Sequence, residues 1–464
     1  MTFISSLQQK LNSTYTENGA LAEKSSFDPV VDFFALAGAM RDTPSEAVKL
    51  FEQALYADRQ TALRTLFYLR DVRGGQGERE VFRACWRWLT FRYPELAGRL
   101  LAFIPEYGRW DDVWSAGVTR EVLGLVTGQL ASDASSWPQV SLLGKWLPSE
   151  KSAESNVAHQ FMRGLGMSPR QYRQRLSALR RRIGLLESQM STNDWDNIEY
   201  GKLPSQAHRK HVKAFWRHSE PRYQEYLDAV DRGEAKINTS TLYPYEVYDL
   251  AERGDRAADT MWANLPDYTN GTDALVLADV SGSMWGRPIS VSVSLALYFA
   301  ERNTGAYKGY FMCFESAPHL VKVSGRNLRE RLASIQNSTR WCGSTNLEGA
   351  FNAILAAGVQ SGEVPKVLYI VSDMQFDQAV TGGSDTTFRN ARAAFAAHGL
   401  ELPHVVFWNV NARQTQVPAT IRDGAVTLVS GCSPTVFGMA VEGKSPRELV
   451  DEVVNAERYQ VIEV

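Results

Sequence analysis

Two short apolar runs that each end in an aspartate constrain the fold of this chain more than any other feature. The first is Ala274–Asp279 and the second closes the segment Val364–Asp373. Runs of this kind lack polar alternation, so both faces of each strand must be covered. Helical patterns over 288–303, 346–357, 385–398 and 446–457 alternate with strand patterns over 307–314, 319–323, 403–410 and 425–430. That alternation predicts a mostly parallel, Rossmann-like α/β sheet with helices on both sides. Ligands of such sheets bind beyond the carboxyl ends of the strands, where both aspartates fall.

Asp279 opens the stretch Asp279-Val-Ser281-Gly-Ser283, and Gly343-Ser344-Thr345-Asn346 begins a helix. If the two aspartate-ending strands are neighbours, three loops meet and present two carboxylates and three hydroxyls. An oxygen-only set with few carboxylates suits a hard divalent cation, Mg²⁺ or Mn²⁺, with Mg²⁺ favoured because it keeps waters. Gly282 lets the loop turn tightly so that both serine hydroxyls face inward. The expected metal residues are therefore Asp279, Ser281, Ser283, Thr345 and Asp373. The plainer alternative is a Ser/Gly turn with Asp279 capping a helix.

Before residue 270 the pattern is helical. Thr43 and Glu46 have capping-box spacing with Pro44 at the first helical position, and Val48, Phe51 and Leu55 follow on one face. Asp58 opens a second helix with Leu63, Leu66 and Phe67 inward. A third starts near Glu78 and is expected to bury Val81, Phe82, Cys85 and Trp88. Helices of about a dozen residues with short links suit antiparallel pairs stacked as a HEAT-like helical repeat. Three parts follow: an all-α helical-repeat domain over 1–237, a linker rich in Tyr, Pro and Gly over 238–270, and the α/β domain over 271–464.

The 464 residues are 44% hydrophobic and 22% charged with twelve Trp, enough for large cores in two or three domains. A net charge of -2 excludes a globally basic protein but not a basic face. Cys85, Cys313, Cys342 and Cys432 lie far apart with no C-x-x-C, which argues against a zinc ribbon, a thioredoxin-type site or a disulfide scaffold. With no signal-peptide pattern and no apolar run near the ~20 residues of a membrane span, the expectation is a soluble cytoplasmic protein.

No nucleophile–base set is visible, so no enzyme is expected. There is no P-loop, no G-x-S-x-G and no H-E-x-x-H, and Ser281 stands where a haloacid-dehalogenase phosphatase needs its second acid. His208 and His211 could share a helix face, but without an acid to join them they read as solvated polar residues. Gly74-Gly75-Gln76 is the tripeptide that release factors use on peptidyl-tRNA. Between two amphipathic helices it reads more simply as a flexible link.

Residues 151–236 hold 16 Lys and Arg against 10 Asp and Glu. Leu176, Leu179 and Ile183 form an apolar stripe, so several of the arginines around them must point outward. The candidate RNA-binding residues are Arg173, Arg175, Arg180, Arg181, Arg182, Lys210, Lys213 and Arg217, interleaved downstream with Trp216, Tyr223 and Tyr226. Charge for phosphates and rings for bases is what a single-stranded nucleic acid needs. A solvated helix face with internal salt bridges is the competing reading.

Asp279, Ser281, Ser283, then Thr345, then Asp373, in a βαββαβαβα order over about 271–464, resembles the von Willebrand factor A domain. The resemblance implies that these five residues form a metal-ion-dependent adhesion site. In that family the serines and threonine bind the metal directly, the acids act mainly through water, and an open position takes an acidic side chain of a protein partner. A helical region followed by such a domain resembles the TROVE proteins of the Ro autoantigen type, which bind small structured RNAs and misfolded RNA ends. The chain also resembles the domain-of-unknown-function family 2828, through Leu69–Arg79 (L-R-D-V-R-G-G-Q-G-E-R), Lys145–Glu150 (K-W-L-P-S-E), Tyr172–Arg180 (Y-R-Q-R-L-S-A-L-R) and the loop from Asp279 to Met284. Together these imply a non-enzymatic RNA-binding protein with a divalent-metal site. The alternative is a protein-interaction scaffold that captures an acidic partner residue through the metal.

Overall fold

The computed structural model describes residues 2–135, 140–271, 273–314, 316–339, 343–379, 385–439 and 443–463. Cys342 lies outside them. The chain divides into two compact units, one of residues 1–69, 74–81 and 242–463, the other of 70–73 and 82–241. This differs from the expected cuts at 237 and 270, because the first 69 residues belong with the C-terminal sheet. Residues 238–270 are no open linker. They contain the helices Pro244–Glu252 and Ala257–Ala263, whose Tyr248 and Trp262 are buried. Helices this short and this covered show too little polar–apolar alternation to be read from sequence.

The first unit opens with the helix Phe3–Asn12, followed by an antiparallel hairpin of β1 (Ser13–Tyr15) and β2 (Leu21–Glu23). Its main sheet comprises β3 (Ala274–Asp279), β4 (Tyr310–Phe314), β5 (His319–Lys322), β6 (Val367–Ser372), β7 (His404–Asn409) and β8 (Val426–Ser430), in the order β5-β4-β3-β6-β7-β8. Every pair is parallel except β4–β5. The expected run of strands and helices is present, with an additional helix, Leu328–Ser338, whose mean polarity hid it. The strand order reverses between β3 and β6, and the crevice beyond the carboxyl ends at such a reversal is where open sheets place ligands.

All six residues of β3 and of β6 are buried. At about 1.5–3 kcal/mol for each fully buried aliphatic side chain, these two strands anchor the unit and leave their register no freedom. One face packs on Arg287–Arg302, where Phe299 meets Tyr369, and on the turn Pro434–Gly438, where Phe437 meets Trp408. The other packs on Thr387–Ala397, where Phe388 meets Phe407 edge-on.

A helix Pro29–Ala37 precedes Pro44–Ala57 and Arg59–Arg70, and these two have the expected starts, with one correction. Thr43 and Glu46 form no capping box, because the Thr43 hydroxyl donates to the Ala412 carbonyl at 3.0 Å. The Gly-Gly-Gln segment is no flexible link either. Gln76 is buried and donates to the Tyr68 hydroxyl at 2.8 Å, while the Tyr243 hydroxyl donates to the Gln76 carbonyl at 2.9 Å. Gly77 has φ +63°, and a Cβ there would lie 2.2 Å from the Tyr243 hydroxyl, so only glycine fits.

The second unit shows no strand among its described residues. In its helix Glu80–Arg92, Phe82, Cys85 and Trp86 are buried and Trp88 is half-exposed, its ring set edge-on against Tyr93. The inward tryptophan is thus Trp86, stacked on Phe82, rather than the expected Trp88. Asp112, fully buried, accepts from Arg70 Nε at 2.8 Å, Arg83 Nε at 2.6 Å and the Arg109 amide at 3.0 Å. The long helix Ser205–Asp231 bends at Ser219 (φ -150°), two residues before Pro221, which offers no N–H to the carbonyl one turn earlier.

Candidate functional site

Parallel pairing of Ala278 with Val371 sets Asp279 beside Ser372 at the carboxyl edge of the sheet. The Ser372 hydroxyl donates to Asp279 Oδ2 at 2.5 Å, and the Ser281 amide donates to Asp279 Oδ1 at 2.9 Å. Ser281 and Ser283, two residues apart around Gly282, hold their hydroxyls 3.1 Å from each other. The Gly282 amide donates to the Gly343 carbonyl at 3.3 Å, joining this loop to the one carrying Thr345. In turn, the Thr345 carbonyl accepts from the Asp377 amide at 3.0 Å, beyond Asp373. The three loops expected to meet do meet, and they bring all five residues to one edge.

Their environment is dry. Asp279 and Thr345 are 0% exposed, and Asp373 is 1% exposed. Burial pushes the Asp279 carboxyl up to about 7, and the neighbouring Asp373 charge pushes it the same way. Burial also raises Asp373, against the Ser283 hydrogen bond and the Arg413 guanidinium. Thr345 Oγ1 is buried with no hydrogen-bond partner among the described residues. Two mutually repelling carboxylates and an orphaned hydroxyl fit a hard cation, which would draw on all three. No group of three or more His, Cys, Asp or Glu among the described residues could hold a metal, so any centre here must rest on hydroxyls and two acids.

Sequence reasoning missed two charged groups at this edge. Arg413, on the loop after β7, donates through one terminal nitrogen to Asp373 Oδ2 at 3.0 Å and to the Ser283 carbonyl at 2.7 Å. Glu17, in the turn between β1 and β2, lies 3.7 Å from the other terminal nitrogen. Arg413 follows a strand end by four residues, which is the one available signal. The β1–β2 hairpin carries no pattern that would reveal Glu17. Trp285, two residues beyond Ser283, is 76% exposed.

The basic residues of the second unit have separate fates. Arg175 donates to the Leu130 carbonyl at 2.9 Å. Arg180 donates to the carbonyls of Gly144 and Leu147 and to the Ser149 hydroxyl, and Arg182 to the carbonyl of Asp133. Arg180 and Arg182 are half-buried, against the expectation of open exposure, because their fork of donors satisfies helix-end carbonyls. Arg173 is exposed but paired with Glu150, and Arg181 is exposed. Lys210, Lys213 and Arg217 are exposed on one face of Ser205–Asp231, and none pairs with a carboxylate among the described residues.

The expected stacking rings are not free for bases. Tyr223 is buried, Trp216 packs edge-on against it, and the Tyr226 hydroxyl donates to the Lys236 carbonyl. His208 is buried among Tyr200, Phe215 and Tyr223 and bonds the Tyr223 hydroxyl at 2.9 Å, so it is a core residue rather than a solvated one. Burial lowers its imidazole to about 4.

Residues 16–104 and 164–273 match a family model described as a domain of unknown function (DUF2828). Residues 273–461 match another model, likewise described as a domain of unknown function (DUF7788). The two meet at the residue before β3. A protein of Acanthamoeba polyphaga mimivirus, described as uncharacterized protein L728, is 28% identical over 504 residues, covering 97% of this chain and 86% of the viral one. Among solved structures, the Ro (RSR) protein of Deinococcus radiodurans is a distant likeness, at 12% identity and TM-score 0.40 over 93% of this chain and 99% of that one. No helix among the described residues is long and apolar enough to cross a membrane.

Proposed function

We propose that this chain is a non-enzymatic binding protein that works through a divalent cation, Mg²⁺ or Mn²⁺, held by Asp279, Ser281, Ser283, Thr345 and Asp373 in a von Willebrand A-like domain. The observation that carries this reading is the buried Thr345 hydroxyl, orphaned at the same sheet edge as two buried carboxylates, Asp279 and Asp373. In the von Willebrand A family such a site keeps a coordination position open to an acidic side chain of a protein partner, and here the exposed Trp285 supplies apolar area next to it. The test is calorimetric titration of the full chain with Mg²⁺. One ion is expected per chain, lost in Asp279→Asn and in Thr345→Val. Undiminished binding in both variants overturns the assignment.

A second reading, RNA binding in TROVE-like fashion, rests on Lys210, Lys213 and Arg217. The arginines committed to carbonyls are not available to phosphates, so this stripe, with Arg181, is what remains of the basic face. Phosphate contacts by these side chains make affinity for single-stranded RNA fall with salt, at a slope of about -0.7 per contact. Filter binding across a salt series on wild type and the triple reversal Lys210→Glu, Lys213→Glu, Arg217→Glu checks it. Equal slopes in the two proteins remove the stripe from consideration.

A further inference from the structure

We infer that Arg413 is a built-in competitor of the divalent cation, and that Glu17 governs how readily it yields. The inference rests on the metal reading of the five residues and concerns how that site is regulated. Arg413 touches two of the three loops that build the site, through Asp373 Oδ2 and the Ser283 carbonyl. A guanidinium cannot shed its proton, so its charge is permanent. A dication drawing on Asp373 and a guanidinium on the same carboxylate are like charges a few ångström apart. With a charge product of two at about 5 Å, even water-like screening corresponds to about a tenfold change in affinity. The cation therefore binds as the arginine gives up Asp373.

Glu17 is placed to receive it. Its carboxylate is reached by the nitrogen of Arg413 that does not contact Asp373. Its position is held by three hydrogen bonds. The Glu17 amide donates to Gln375 Oε1 at 2.9 Å, Gln414 Nε2 donates to Glu17 Oε1 at 2.9 Å, and the neighbouring Asn18 Nδ2 donates to the Gln375 carbonyl at 2.7 Å. The turn is thus fastened to the segment that immediately follows Asp373. As Asp373 turns to the metal, Arg413 keeps an acidic partner at hand, so the exchange strands no charge.

The experiment is Mn²⁺ titration of the full chain, stripped with EDTA and dialysed, followed by loss of the electron paramagnetic resonance signal of free aqueous Mn²⁺. Arg413→Gln is expected to bind Mn²⁺ about tenfold more tightly than wild type. Arg413→Lys keeps the charge but loses the two-loop fork, and is expected to fall between them. Glu17→Gln removes the receiving carboxylate and is expected to bind several-fold more weakly. A merely structural role for the pair would weaken binding in all three. Wild type and Arg413→Gln binding alike overturns the inference while leaving the metal site standing. Silence in every protein, Arg413→Gln included, removes the metal site itself and the inference with it. If Arg413→Gln fails to fold, as judged by its melting curve, the contrast between Arg413→Lys and Glu17→Gln decides. Opposite shifts support the competitor and parallel shifts refute it.

Discussion

Thr345→Val should raise stability in EDTA and lower it, relative to wild type, in magnesium. Valine and threonine have nearly the same shape, so the change exchanges one buried hydroxyl for a methyl at a position that is 0% exposed. The hydroxyl has no hydrogen-bond partner among the described residues. An unsatisfied buried polar group costs about 1–3 kcal/mol, so its removal should recover about 1–2 kcal/mol in the chelated protein. Saturating metal reverses the order. At a hundred times Kd a bound ion adds about 2.7 kcal/mol to the wild type and nothing to a variant that has lost it. The assay is thermal unfolding with EDTA and with Mg²⁺, following the transition of the unit that contains the sheet. A Thr345→Val protein less stable than wild type in EDTA would mean that the hydroxyl already has a partner. Equal stabilisation of both proteins by Mg²⁺ would mean that the ion makes no use of it.

Asp112→Ala should destabilise the second unit by about 3–5 kcal/mol in urea unfolding, because Arg70, 1% exposed, would keep its charge without its carboxylate. A loss under 1 kcal/mol would show that Arg70 finds another partner. His208 titrates at about 4 in the fold against 6.5 when unfolded. Between those values the unfolded chain binds the extra proton, so stability falls as pH drops from 6.5 toward 4, by up to about 3 kcal/mol. His404 is lowered to about 4 in the same way, so the test is the difference between wild type and His208→Phe. Matching pH profiles in the two proteins would exclude His208 as a source of acid sensitivity. Trp86→Ala should cost about 3–5 kcal/mol and Trp88→Ala clearly less, since only Trp86 is fully enclosed. Equal losses in chemical denaturation would contradict that burial pattern.

Local patterns carried much of the α/β unit. The runs at 274–279 and 367–372 could be read as covered strands because burial on both faces forces a continuous apolar composition, and Asp279, which closes the first, and Asp373, which follows the second, marked the edge where chemistry could sit. The D-x-S-x-S spacing, Thr345 and Asp373 were legible for the same reason: each belongs to a loop that directly follows a recognisable strand or opens a recognisable helix. Helix periodicity located Phe82 and Cys85, but it misassigned Trp88. Trp86 and Trp88 lie two positions apart, and the choice between them depends on which neighbours cover that face.

Long-range folding decided the rest. No local signal reveals that Gln76 is buried against Tyr68, or that Arg180 and Arg182 spend their donors on helix-end carbonyls, because their partners lie 8 residues away in one case and more than 30 in the others. A run of arginines looks the same in sequence whether it faces phosphate, water or the end of a neighbouring helix. The difference is made by which unsatisfied carbonyls the fold brings within reach. The same holds for Arg413 and Glu17, 396 positions apart and drawn to one carboxylate edge by a hairpin whose own strands are three residues each. Periodicity and motif spacing are properties of neighbours along the chain, so they can specify a strand, a helix face or a ligand-bearing loop. Which charges share a buried site is set by closure of the whole sheet, and that appears only in three dimensions.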